Sequence, residues 1–174
     1  MTLVDRRLKT LQEELASVIA GLTPDQLHWH PPGKWSAAEV VEHLYLTYTG
    51  TTKGLSRVLA AQKAETTPAT WAQRRNKLVV LGFAYLPSGR EAPSFSRPRG
   101  LAVDRVLAEI AGKIREMDDM IASCEQKLGA GNLLDHPILG PLTGRQWRKF
   151  HLVHGLHHIR QIRQRAGKIE MTRS

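Results

Sequence analysis

Apolar side chains recur along this chain at three- and four-residue steps, the period of a helix with one buried face. Leu8, Leu11, Leu15, Val18, Ile19 and Leu22 set the first such stripe and predict a helix over 3–21. Thr23 and Pro24 then pair an N-cap residue with proline at the first helical position, opening a short turn through Leu27. Trp29-His30-Pro31-Pro32-Gly33 reads as a loop. Ser36 and Glu39 form a capping box that starts a long helix running to Ala61. A third helix is expected over Pro68–Gly82, and 87–100, rich in Pro, Gly, Ser and Arg, is expected to be a loop. Leu107, Ile110, Ile114, Met117 and Ile121 carry a helix over Leu101–Leu128, ended by Gly129 and Gly131. Asn132–Leu142 is expected to be a loop. Thr143 and Gln146 make a second capping box, opening a last helix to Ala166, with 167–174 as a flexible tail. No segment alternates for the length of a strand. The expected architecture is all-α: a single domain over 1–174 built as a four-helix bundle with an additional short helix.

Composition narrows the functional classes. A chain of 174 residues suits one domain, and 41% hydrophobic with 24% charged residues excludes a wholly disordered chain. The longest apolar run, Leu78–Leu86, contains Gly82 and falls well short of the roughly 20 residues of a membrane span. The first residues carry no apolar core of a signal peptide, and the single Cys124 excludes an intrachain disulfide. A cytoplasmic protein without membrane contact is the expectation. The formal net charge is +9, concentrated in two zones: six Lys/Arg against Glu91 over 71–99, and eight against Glu170 over 143–174. Such zones can attract nucleic acid, but no nucleic-acid motif accompanies them, and solvated faces of a basic protein explain them as well.

The histidines are unevenly placed. Of eight, His151, His154, His157 and His158 fall in the last helix. His154 and His158 are one turn apart, so their imidazoles share a face about 6 Å apart and can chelate one ion. At about 100° of rotation per residue, His151 and His158 fall within the apolar arc of Trp147, Leu152, Leu156, Ile159 and Ile162. His154 falls at its edge, and His157 points away with Phe150. Hydrogen-bonded core histidines and a metal site both fit this arrangement. A metal site needs a ligand from another helix. His43 in the second helix is a candidate, with Glu39, Thr47, Gly50 and Gly54 beside it; those small neighbours leave room for a ligand or mark a close helix–helix approach. His28 and His30 read as surface or rim residues. His136 opens the compact turn His136-Pro137-Ile138-Leu139-Gly140, which is either a plain turn or a lid contributing a supporting hydrogen bond.

The segment from His136 through Thr143-Gly144-Arg145-Gln146-Trp147 into Phe150, His151, His154, His157-His158 and Gln161 resembles the C-terminal part of DinB-like proteins, which include the YfiT-like metal-dependent hydrolases. Trp35-Ser36-Ala37-Ala38-Glu39-Val40-Val41-Glu42-His43-Leu44 is similar to that superfamily's first motif, and Leu22–Leu27 fits its layout. The resemblance implies a four-helix bundle, often dimeric, with a divalent metal held by three histidines, carried over here to His43, His154 and His158. His158-Ile159-Arg160-Gln161 matches the family's His-Arg-Gly-Gln-like ending except at its third place, where Gln161 follows Arg160 directly. Zinc and nickel both suit imidazole ligands.

A three-histidine site with a vacant position can acidify water or act as a Lewis acid toward a thiol or carbonyl. The resemblance therefore implies a hydrolase or a thiol-dependent transferase acting on a small-molecule substrate, as a homodimer. Glu39, one turn before His43, and His151, one turn before His154, are the candidate acid–base groups. Glu39 is equally the second member of its capping box. Trp147, Gln161 and His136 are candidates for the pocket wall or for hydrogen bonds to the ligands, Trp147 reading chiefly as core packing. A non-enzymatic, stress-related bundle binding nucleic acid or a protein partner through its basic faces is the alternative.

Overall fold

A computed structural model describes residues 5–86 and 91–173, with side-chain surroundings through residue 167. Expectations that fall on 1–4, 87–90 and 174 lie outside the described residues. Four long helices form the bundle: α1 (Arg7–Ala20), α3 (Ala37–Ala61), α5 (Val103–Leu128) and α6 (Gly144–Arg173). Between them lie the short α2 (Pro24–His28) and α4 (Trp71–Lys77). The all-α expectation holds. α3 packs along α5 and α1 along α6, and the apolar faces of all four meet in one core. Leu8, Leu11 and Leu15 of α1, Val40, Leu44 and Leu55 of α3, Ile114, Met117 and Ile121 of α5, and Ile159 and Ile162 of α6 are buried there. Each such side chain contributes about 1.5–3 kcal/mol by leaving water.

The caps are made as their residue types dictate. Ser36 Oγ accepts from the Glu39 N–H while Glu39 Oε2 accepts from the Ser36 N–H at 2.7 Å. Thr143 and Gln146 make the same reciprocal pair at the start of α6. Thr23 with Gln26 and Thr70 with Gln73 add two more. The third helix begins at Trp71 rather than Pro68, because Thr70 is its cap. It ends in a π-helical turn over Leu78–Gly82. The last helix runs past Ala166 to Arg173, through residues expected as a tail; no proline follows Ala166 to stop it, and Gly167 alone does not. Where α6 crosses α1, a Cβ on Gly155 would stand 2.3 Å from Leu11 Cδ1, so only glycine permits this approach.

The 132–142 segment corrects the sequence reading. It is an antiparallel hairpin, β1 (Asn132–His136) with β2 (Gly140–Thr143), not a loop. Its strands are short, the register slips between Asn132 and Leu134, and Pro141 interrupts the second strand, so no clean alternation survives in the sequence. His136 Nδ1 fixes the turn by accepting from the Ile138 and Leu139 N–H groups at 3.1 and 3.2 Å, and Gly140 supplies the positive φ of +70° the turn needs. The hairpin also overturns a second expectation. Phe150, read as pointing away, is buried, because His136 lies against it with ring centroids 4.4 Å apart. The small residues of α3 likewise have their own occupants: a Cβ on Gly54 would meet Leu134 of the hairpin at 2.6 Å, and Gly50 faces Phe95 of the crossover. Neither marks a helix–helix approach. Among the described residues no helix is long and apolar enough to cross a membrane.

Candidate metal centre

α3 and α6 bring His43, His154 and His158 together, all three buried. The capping box at Ser36 fixes the start of α3 and so places His43 two turns inside it. The box at Thr143 does the same for α6. His154 Nε2 lies 3.2 Å from His43 Nε2 and 3.1 Å from His158 Nε2. The outer nitrogens are anchored. His43 Nδ1 donates to the Ser96 carbonyl at 2.7 Å, and His158 Nδ1 donates to Gln161 Oε1 at 2.9 Å. An N–H on Nδ1 leaves a bare lone pair on Nε2, so the partners fix the tautomer that presents Nε2 to a ligand. Gln161 spends its other end on His157, its Nε2 donating to His157 Nε2 at 2.9 Å.

Two Nε2 atoms at hydrogen-bond distance from a third compete for whatever proton it carries. A proton on His154 Nε2 can serve one neighbour well, and it leaves His154 Nδ1, which has no hydrogen-bond partner, as a bare buried acceptor. Protonating the group is opposed by burial, which lowers the pKa of His43, holds His154 well below the usual histidine value and takes His158 down to about 3. Neighbouring imidazoles reinforce the shift at His154 and His158. A cation satisfies all three lone pairs at once. Ligand nitrogens on a tetrahedral zinc stand about 3.4 Å apart for bonds of about 2.1 Å, close to the observed spacing. Anchoring of the outer N–H by a carbonyl or amide oxygen is the usual companion of ligating histidines. The residues present fit a divalent ion.

The remaining candidates separate. Glu39 is half-buried and holds the Ser36 N–H, so its capping role is real. It also lines a cavity of about 270 Å³ with Ser36, His28, His30 and Glu42. His28 and His30 are exposed, as expected of rim residues. His151 is 0% exposed, stacked on Trp147 and edge-on to Tyr48, with both ring nitrogens unpartnered. Burial lowers its pKa to about 3. Trp147 is core, its Nε1 donating to the Leu134 carbonyl at 3.3 Å. His136 stands one ring further out, behind Phe150, which stacks on His154 at 5.4 Å. Cys124 is buried, its Sγ donating to the Leu55 carbonyl, and burial pushes its thiol up, so it is no nucleophile.

The structure adds residues that sequence reasoning did not single out. Ser96 acts through its carbonyl, which no sequence pattern signals. Glu42, buried beside His43, accepts from the N–H groups of Arg99, Gly100 and Leu101 and so ties the crossover to α3. Trp35 covers His43 with ring centroids 5.3 Å apart; it sits in the Trp-Ser motif and was visible there only as a helix start.

The family model of the DinB superfamily matches residues 7–162. The chain belongs to the DinB superfamily. It is also 27% identical over 172 residues to YuaE, an uncharacterized protein of Bacillus subtilis (strain 168), with 95% of this chain and 96% of that protein covered. No solved structure matches the chain significantly. As a DinB superfamily member with a buried three-histidine group, the chain is compatible with a metal-binding function.

Proposed function

We propose that this DinB superfamily chain is a divalent-metal-dependent enzyme, a hydrolase or thiol-dependent transferase, that acts on a small molecule at His43, His154 and His158. The supporting observation is the convergence of three Nε2 atoms, two of them on rings whose outer nitrogen is already engaged. Zinc and nickel are the ions we assign. When bound, such an ion supplies a Lewis acid that acidifies water or a thiol and polarises a carbonyl.

The chain's own residues do the rest. Ser96 and Gln161 hold two ligands in the right tautomer. Trp35 and Phe150 wall the centre with aromatic rings and keep bulk water from the imidazoles. Glu39 is the proton-handling group we assign, since it borders a cavity and His151 is sealed in the core. His151 and Trp147 then back the helix turn that carries His154. A cytoplasmic homodimer with one domain per chain completes the reading.

The nucleic-acid alternative draws on the basic zones, but several of those charges are spent. Arg148 donates to Asp118 and Glu125, Arg163 to Glu14, and Arg97 to Glu91. Metal analysis of tag-free protein purified in metal-replete medium tests the proposal, with ester hydrolysis and thiol conjugation to an electrophile assayed on the loaded protein. About one ion per chain, with either activity lost in His158→Ala, supports it. Metal-free wild-type protein contradicts it.

A further inference from the structure

The same end of the bundle holds a cation with an unsatisfied hydrogen-bond donor. Arg165 lies two turns beyond His158 on α6, on the same helix face. Its side chain is half-buried, and Nη1 is buried with no hydrogen-bond partner. Its charge reaches both the His158 imidazole and the Glu39 carboxylate. Arg163, two residues earlier and on the outer face, is by contrast engaged with Glu14 at 2.8 Å. Gln26 Nε2 donates to the Ala166 carbonyl at 3.4 Å, so α2 pins the backbone beside Arg165 and holds it in this place.

Charge decides what fits. Three neutral imidazoles leave the full charge of a divalent ion uncancelled, and Arg165 adds another positive charge. Against them stand Glu39, which accepts from the Ser36 N–H, and Glu42, which accepts from the crossover N–H groups; one formal negative charge each leaves the ion-loaded group net positive. A guanidinium presents a rigid fork of donors matched to the oxygens of a carboxylate or phosphate. We propose that Arg165 is the substrate-recognition residue of the centre, and that the small molecule it admits carries an oxyanion, docked on Arg165 while its reacting group faces the three histidines. This rests on the metal-centre reading above.

The test is calorimetric titration of zinc-loaded protein, freed of excess zinc, with succinate and with inorganic phosphate as probes and uncharged succinamide as control. Wild type is expected to bind at least one anion and not succinamide. Arg165→Gln is expected to weaken that binding at least about 10-fold, and Arg165→Lys less, since it keeps the charge without the fork. Zinc uptake by both variants stays as in wild type. Stronger binding of succinate names a carboxylate substrate, and stronger binding of phosphate a phosphorylated one. Equal anion affinity in wild type and Arg165→Gln, or no anion binding by wild type, overturns the inference. If wild type takes up no zinc, the metal reading falls by itself. The same titrations on metal-free protein then decide Arg165: a difference between wild type and Arg165→Gln keeps the anion site, and none removes it.

Discussion

Helix α6 carries two groups of buried histidine one turn apart, and they are built differently. His158, with His43 across from it on α3, has its outer nitrogen tied to an oxygen, while the inner nitrogens of both meet His154. His151 is as deeply buried and as depressed in basicity, yet its ring packs against Trp147, Tyr48 and Phe150 and neither nitrogen has a hydrogen-bond partner. Burial alone therefore does not distinguish a candidate ligand from a packed ring. What distinguishes them is that the Nε2 atoms of His43, His154 and His158 converge, two of them aimed by an oxygen on the outer nitrogen that fixes the tautomer and the direction of the free lone pair.

The comparison is broken most severely at the ligands. His154→Ala or His158→Ala is expected to weaken zinc binding by more than about 100-fold, beyond the range seen for outer partners. Competition with a chromophoric chelator measures it. Gln161→Ala removes only the anchor of His158 and is expected to cost about 10-fold in zinc affinity, with the fold intact by circular dichroism. An unchanged affinity would mean the amide orients nothing.

His151→Leu sharpens the contrast from the other side. It replaces two unsatisfied buried nitrogens by carbon, so the melting temperature should hold or rise, and zinc affinity should stay within about twofold. A loss of zinc comparable to that of His158→Ala would put His151 in the centre. Gly155→Ala forces a methyl into Leu11 and is expected to cost about 1–3 kcal/mol of stability, read from denaturant midpoints.

A pH series reads the buried histidines of the metal-free protein together, since burial depresses His158 as it does His136 and His151. His136 and His151 have folded-state pKa values of about 4 and about 3, below the ordinary 6.5 of the unfolded chain. The unfolded state therefore takes up protons first as pH falls. Their contribution is fully present above 6.5 and is lost progressively down to 3. The melting temperature should be level above pH 7 and drop steadily toward pH 4. In His151→Leu that slope should be shallower.

Much of this was legible before any coordinates. The capping residues at Ser36 and Thr143 and the apolar stripes of α1, α3 and α5 locate the bundle, because local rules govern helix ends and faces. His43, His154 and His158 could be proposed as a set, since two share a helix turn and the third stands in a motif the family carries. The hairpin was not legible: its strands are short, bulged and broken by Pro141. Burial of Phe150 depends on that hairpin and was lost with it. Ser96 contributes a backbone carbonyl from a distant crossover, and no side-chain pattern encodes that. Arg165 reads in sequence as one more charge in a basic zone. Only the packing of α2 and α3 around the end of α6 shows that its buried Nη1 lacks a hydrogen-bond partner.

Anomalous diffraction from crystals grown with one equivalent of zinc locates the ion directly. A single strong peak is expected, enclosed by the Nε2 atoms of His43, His154 and His158 and about 2.1 Å from each. A map with no peak there, or with zinc held only at exposed side chains such as His28 and His30, would contradict this placement.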